Sequence, residues 1–220
     1  MLSYTEENYL KALLKLSFQN EERPEAGTNE MAAYLGVKPA TATDMLKKLK
    51  EKDLVTYKKY GKILLTESGK KNGIAILRKH RLWETFLYEK LDFSWDEVHE
   101  VAEQLEHIQS AKLVDKLEEF LGFPEFDPHG DPIPKANGEI PATAKTLLSE
   151  MKAGQTCKVA AVKDTSTLFL QYLEKLHITI GTTLKVIEVI AFDGSLSIQI
   201  ENEEPRSISM KFAESLFVQS

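Results

Sequence analysis

The sequence predicts a mainly α-helical protein with a small β component, and three observations carry that reading. Apolar residues recur at helical spacing through about the first fifty residues and give way to two short β-patterned runs. The middle of the chain sets imidazoles and carboxylates three and four residues apart among apolar positions. From about residue 150 the pattern changes to the period-two alternation of strands.

Residues 4–19 carry Tyr9, Leu10, Leu13, Leu14 and Leu16 on one stripe, with Thr5 as candidate cap. NEERPEAG is a loop. Thr28 caps a short helix, TNEMAAYLG, which Gly36 ends at the C′ position. KPATATDMLKKLKEKD begins a helix on Pro39 and turns Met45, Leu46 and Leu49 inward. LVTYKKYGKILLTESGKK reads as two strands around a turn near Lys59–Lys62, with Gly61 supplying the turn. Helix, short helix, tight turn, helix and hairpin is the order of a winged helix-turn-helix, whose second helix enters the DNA major groove.

That helix offers Lys38, Pro39, Thr41, Thr43, Asp44, Lys47 and Lys48, and the wing adds Lys58, Lys59 and Lys62. Short polar residues near a helix start reach base edges, and lysines pair with phosphates. A lysine-rich run alone is usually a solvated face. The short helix, turn and basic wing around it favour the DNA reading. Charge agrees: up to residue 75 there are 13 Lys and Arg against 10 Asp and Glu, and beyond it 15 against 24, for a net −6.

Two stretches carry the candidate metal chemistry. RKHRLWETFL holds His80 and Glu84 four apart, and WDEVHEVAEQLEHIQS holds His99, Glu103, Glu106 and His107. At about 100° per residue the last four fall within roughly a third of a turn of one helix. Neutral imidazole and carboxylate together suit a divalent first-row metal. A single such pair is usually a solvated ion pair. Three of five histidines in two such groups, interleaved with Leu82, Phe86, Val98, Val101 and Leu105, speak for a site.

The reading divides the chain into residues 1–72 (winged helix-turn-helix), 73–122 (helical, metal-binding and dimerising), 123–149 (Pro/Gly linker) and 150–220 (SH3-like barrel). Trp83, Leu87, Tyr88, Leu113, Leu117, Phe120 and Leu121 are more apolar surface than two or three helices bury, which suggests a two-fold partner. The linker GFPEFDPHGDPIPKANGEIP is stiff. KVAAVKD, TLKVIEVI, SLSIQIEN and SISMKFAESLFV read as strands, with a turn at Phe192–Ser195 and a short helix, TLFLQYLEKL, between the first two. Cys157, the single cysteine, excludes an internal disulfide and fits a packed position in a reducing cytosol. No apolar run approaches the ~18 residues of a membrane span, and the charged N-terminus is unlike a signal peptide, so a cytoplasmic protein is expected.

EENYLKAL, the winged helix, RKHRLWE, VHEVAEQLEHIQS and DPHGDPIP followed by SH3-like strands together resemble the diphtheria-toxin-repressor family of metal-dependent transcriptional regulators, over nearly the whole chain. The resemblance implies one metal site of His80, Glu84 and His99, completed from the SH3-like (FeoA-like) domain, for which Asp164 is the candidate. It implies a second of Asn8, Glu103, Glu106 and His107. It also implies a homodimer repressing metal-uptake genes from a double-stranded palindromic operator, with no membrane partner, no small-molecule substrate and no enzyme activity. Asn8 and Glu103 stand where iron sensors of the family tend to have Met and Cys. Oxygen and nitrogen donors then favour Mn²⁺ or Fe²⁺, with Co²⁺, Ni²⁺, Zn²⁺ and Cd²⁺ accepted in vitro. Two alternatives remain open: a winged-helix regulator of an organic ligand, and a metallohydrolase, against which the absence of an HExxH pairing weighs.

Overall fold

Helix α1 (Tyr4–Gln19) opens on a capping box. The Ser3 hydroxyl accepts the Glu6 N–H at 3.3 Å and the Glu6 carboxylate accepts the Ser3 N–H at 2.9 Å. Ser3, not Thr5, is therefore the cap, because only Ser3 has a glutamate three residues on. The computed structural model describes residues 2–19, 25–57, 62–143 and 146–220. Contacts gather these into two units: 1–80 with 103–111 and 134–139, and 81–102 with 112–133 and 140–220.

In the first unit, strand β1 (Ala26–Gly27) leads into α2 (Thr28–Tyr34) and α3 (Pro39–Glu51), followed by β2 (Val55–Tyr57) and β3 (Lys62–Leu65). The α2 cap is Gly27 rather than Thr28, with the Gly27 N–H given to Glu30. Gly36, at φ +64°, takes the left-handed turn between α2 and α3. The antiparallel sheet runs β1-β3-β2. Leu10, Met31, Leu46, Leu49 and Ile63 are fully buried beneath it. Each such side chain contributes about 1.5–3 kcal/mol by leaving water. That burial fixes α3 with Thr41, Asp44, Lys47 and Lys48 outward. Lys58, Lys59 and Gly61, the expected wing tip, lie outside the described residues.

The expected run of strand past Leu65 instead becomes helix α4 (Glu67–Leu91). Thr66 stops the strand and caps the helix: its hydroxyl accepts the Gly69 N–H at 3.0 Å and donates to the Asp53 carbonyl at 2.7 Å. Two shorter helices follow, α5 (Val98–Leu105) and α6 (Ala111–Phe120). Helix α5 ends at Leu105, so Glu106 and His107 lie in the turn beyond it. Of the four-residue face expected from spacing, His99 belongs to the second unit and Glu103, Glu106 and His107 to the first.

In the second unit six antiparallel strands lie in the order β4-β9-β5-β6-β7-β8. They are β4 (Thr146–Leu147), β5 (Thr156–Val162), β6 (Thr183–Val189), β7 (Leu196–Ile200), β8 (Arg206–Ile208) and β9 (Leu216–Gln219). Irregularities at Val159/Ala161 and Val186/Glu188 bend the sheet around Leu148, Leu173, Ile178, Leu184 and Ile198. Helix α7 (Thr167–Lys175) packs Leu170 and Leu173 into that core. SISMKFAESLFV is not one strand. Ser209 caps a one-turn helix, α8 (Met210–Ala213), by accepting the Phe212 N–H at 3.2 Å, and this splits β8 from β9. Cys157 is buried, and burial pushes its thiol up to about 11, as a packed rather than reactive cysteine requires.

Candidate metal centre

The second unit gathers one buried group of donors. Glu84 comes from α4, and Asp127 and His129 come from the turn that follows α6. One ligand atom from each lies within 4.8 Å of the others, and all three residues are buried. His99 Nδ1 stands 3.0 Å from Glu84 Oε1, so this imidazole braces the Glu84 carboxylate. His80 precedes Glu84 by one turn on the same unbroken helix.

The turn is built around the Asp127 carboxylate. Asp127 Oδ1 accepts the N–H of His129 at 2.9 Å and that of Asp131 at 3.0 Å. Gly130, at φ +84°, closes it, and a Cβ there would lie 2.1 Å from the Ala160 carbonyl oxygen. The turn is thereby pressed against β5, to which His129 also bonds through Val162. His129 Nε2 lies 3.0 Å from the Trp95 carbonyl oxygen. A carbonyl only accepts, so Nε2 donates to it, which leaves Nδ1 as the ring nitrogen that could ligate a metal. The Trp95 ring stacks on this imidazole and its Nε1 donates to the Pro128 carbonyl at 2.8 Å.

Burial pushes the Asp127 carboxyl well above the usual carboxylate range, and the charges of Asp131 and Glu84 push the same way. Arg81 offsets part of this, at 3.5 Å from Asp127 Oδ2 and 3.0 Å from Asp131 Oδ2. Two crowded, buried carboxylates and an imidazole with a free lone pair are short of positive charge. A divalent cation would supply it, and oxygen and nitrogen donors of this kind suit Mn²⁺ or Fe²⁺. Asp127 and His129 belong to the DPHGDPIP stretch read as a linker. Their Asp-x-His spacing before a glycine was the available signal.

The remaining sequence candidates form a different cluster in the first unit. His107 Nδ1 lies 2.6 Å from Glu7 Oε2, and Gln109 Nε2 donates to Glu7 Oε1 at 2.7 Å. Tyr4 stacks on the His107 ring at 4.4 Å. The partner of His107 is thus Glu7, while Asn8 is half-buried beside it. Lys11 Nζ reaches Glu106 Oε2 at 2.7 Å and Glu103 Oε1 at 3.4 Å, and His80 Nδ1 stands 2.7 Å from Glu106 Oε2. Burial alone would raise the Glu106 carboxyl, but His80 and Lys11 more than offset it and hold it below its ordinary value. Lys79 feels burial first, which lowers its ammonium, and Glu7 and Glu106 restore part. Here the counter-charge is lysine, and these residues do not fit a divalent ion as they stand.

Asp164 turns back on its own loop. Its Oδ1 accepts the Ser166 N–H at 3.0 Å, and that bond holds its carboxyl below the usual range. Among the described residues it is part of no group of three such donors within 4.8 Å of one another. On the DNA-binding face, Lys38 and Pro39 open α3, Thr43 Oγ1 donates to the Pro39 carbonyl at 2.9 Å, and Lys47 lies 3.3 Å from Asp44. Lys62 pairs with Glu25 at 3.4 Å.

Three family matches cover most of the chain. Residues 1–63 match the iron dependent repressor N-terminal DNA binding domain, and residues 66–135 its metal binding and dimerisation domain. Residues 146–220 match the FeoA domain. The chain is 35% identical over 120 residues to an uncharacterized HTH-type transcriptional regulator of Methanocaldococcus jannaschii, covering 54% of this chain and 94% of that one. A manganese-dependent transcriptional repressor solved in complex with manganese superposes with a TM-score of 0.84 at 34% identity, over 98% of this chain and 99% of that one. ScaR with bound Cd²⁺ superposes at 0.78 with 31% identity, over 97% and 98%. Two further curated matches are partial: the chain spans 16% of a probable metal transport system membrane protein of Chlamydia trachomatis and 30% of the iron-dependent repressor IdeR of Mycobacterium bovis. From its winged helix to its FeoA domain, the chain belongs to the diphtheria-toxin-repressor family of iron- and manganese-dependent transcriptional regulators.

Proposed function

We propose that this protein is a cytoplasmic, non-enzymatic repressor that binds a palindromic operator of metal-homeostasis genes as a homodimer when Mn²⁺ or Fe²⁺ occupies the Glu84–Asp127–His129 centre. The observation that carries the proposal is three buried donors from two chain segments, short of positive charge and tied to β5 through a single turn. His99, 3.0 Å from Glu84, borders the centre.

The reading elements are Lys38, Pro39, Thr41, Thr43, Asp44, Lys47 and Lys48, with Lys62 and, beyond the described residues, Lys58 and Lys59. Tyr88, Leu91, Leu113, Phe120, Phe123 and Phe126 are exposed apolar residues of the second unit, as a pairing surface requires. A metal controls operator binding only by binding the DNA-competent arrangement better than its alternative. Helix α4 carries Glu84 and runs unbroken from the hairpin of the winged helix, so fixing Glu84 restrains the helix that carries the reading head. A coupling of about 1–3 kcal/mol changes operator affinity roughly 5–150-fold.

The test is a fluorescence-anisotropy titration of a palindromic promoter fragment, without oxygen, with and without Mn²⁺ or Fe²⁺. Wild-type protein should tighten within that range, and Asp127→Asn and His129→Ala should bind as the metal-free wild type does. A wild type that grips the fragment equally well after chelation ends the proposal. So does an Asp127→Asn variant with an undiminished metal response.

A further inference from the structure

We infer that Lys11 is the resident cation of the Glu103–Glu106 cluster, so that this cluster takes no divalent ion and α1 is fastened to the 103–109 segment by protein groups alone. The inference stands apart from the Glu84–Asp127–His129 centre, which lies in the other unit.

Charge is the first argument. Glu106 is fully buried, and a buried carboxylate requires a counter-charge. The Lys11 ammonium supplies it at 2.7 Å and is itself 95% or so out of solvent, with only 5% exposure. A divalent ion on Glu106 Oε2 would face that fixed positive charge across little more than a hydrogen bond, where solvent screens poorly. The ion and the ammonium compete for one position. The ammonium is tethered there by its own helix.

Donor count is the second argument. Glu106 Oε2 is engaged by Lys11 and His80, Glu103 Oε1 turns to Lys11, and Glu7 holds His107 Nδ1. Glu106 Oε1 is buried and without a hydrogen bond, and His107 Nε2 lies 3.9 Å from it. Among the described residues, no triad of imidazole and carboxylate donors within 4.8 Å of one another includes Glu103, Glu106 or His107. A pair of donors that no third closes upon within that distance, set beside an ammonium, does not make a divalent site. Without Lys11, both Glu106 oxygens, Glu103 and His107 Nε2 become an oxygen-rich set with an uncompensated negative charge, which a hard divalent ion fits.

The experiment counts Mn²⁺ bound per full-length chain, from the loss of the free-ion EPR signal under argon. It uses the wild type, Glu106→Gln, Lys11→Ala and the double variant, each checked for native circular dichroism. Wild type and Glu106→Gln should bind equal numbers of ions, Lys11→Ala should bind about one more, and Glu106→Gln added to Lys11→Ala should remove it. A wild-type ion that Glu106→Gln abolishes overturns the inference, and so does a folded Lys11→Ala that gains none. Should Lys11→Ala fail to fold, the comparison of wild type with Glu106→Gln decides by itself.

Discussion

Asp127 and Glu106 are both buried carboxylates, and their surroundings drive them in opposite directions. Asp127 is raised by burial, Asp131 and Glu84, so the folded chain holds a proton that the unfolded chain would release. Its contribution to stability is therefore complete below the ordinary carboxylate range and is lost as pH rises through the raised value. Glu106 is lowered by His80 and Lys11 against burial, so its contribution is present above the ordinary range and is lost as pH falls. At the proposed centre a metal would require the ionised Asp127, so its binding would expel that proton. Differential scanning fluorimetry across pH should show Mn²⁺ raising Tm more as pH rises, and Asp127→Asn should flatten that trend. Residue identity in the lysine cluster was partly legible. Positions 7 and 11 share a helix face at i,i+4, and the structure uses Glu7 and Lys11 there rather than the intervening Asn8.

Periodic elements were readable, and aperiodic ones were not. The stripe of Leu10, Leu13 and Leu14, the Pro39 helix start and the alternation of β6 and β7 each repeat a signal several times, and each stands where it was expected. The end of α5 has no such signal, and it leaves Glu106 and His107 in a turn rather than on the helix. Nor has the turn at Asp127–Asp131, whose Pro and Gly content looks like a connector while its hydrogen bonds make a metal-ready loop. Gly130 is where that loop can be broken cleanly. Alanine there meets both the positive φ and the Ala160 carbonyl. It should cost about 1–3 kcal/mol or more of stability. Calorimetry should show a lower Tm for Gly130→Ala, and isothermal titration a weakened Mn²⁺ uptake. An unchanged affinity would mean that the turn does not shape the centre.

At the scale of the molecule, two separate cores serve two tasks, and charge is divided in the same sense. The first 75 residues carry a basic excess on an otherwise acidic chain. Contact with phosphates from Lys47 and Lys48 should make operator affinity fall with salt, and replacing either lysine by alanine should reduce the logarithmic slope by about 1. Anisotropy titrations at several salt concentrations measure this, and an unaltered slope would remove these lysines from the DNA face. Helix α4 is one continuous rod of 25 residues. Its stretch from Glu84 back to Glu67 is about 26 Å long at 1.5 Å per residue. Rocking such a rod by about 5° about its Glu84 end sweeps the far tip through about 2 Å, by the same rise. Slack of a few degrees where the donors meet is geared up, by length alone, into a miss as wide as a hydrogen bond at the opposite tip.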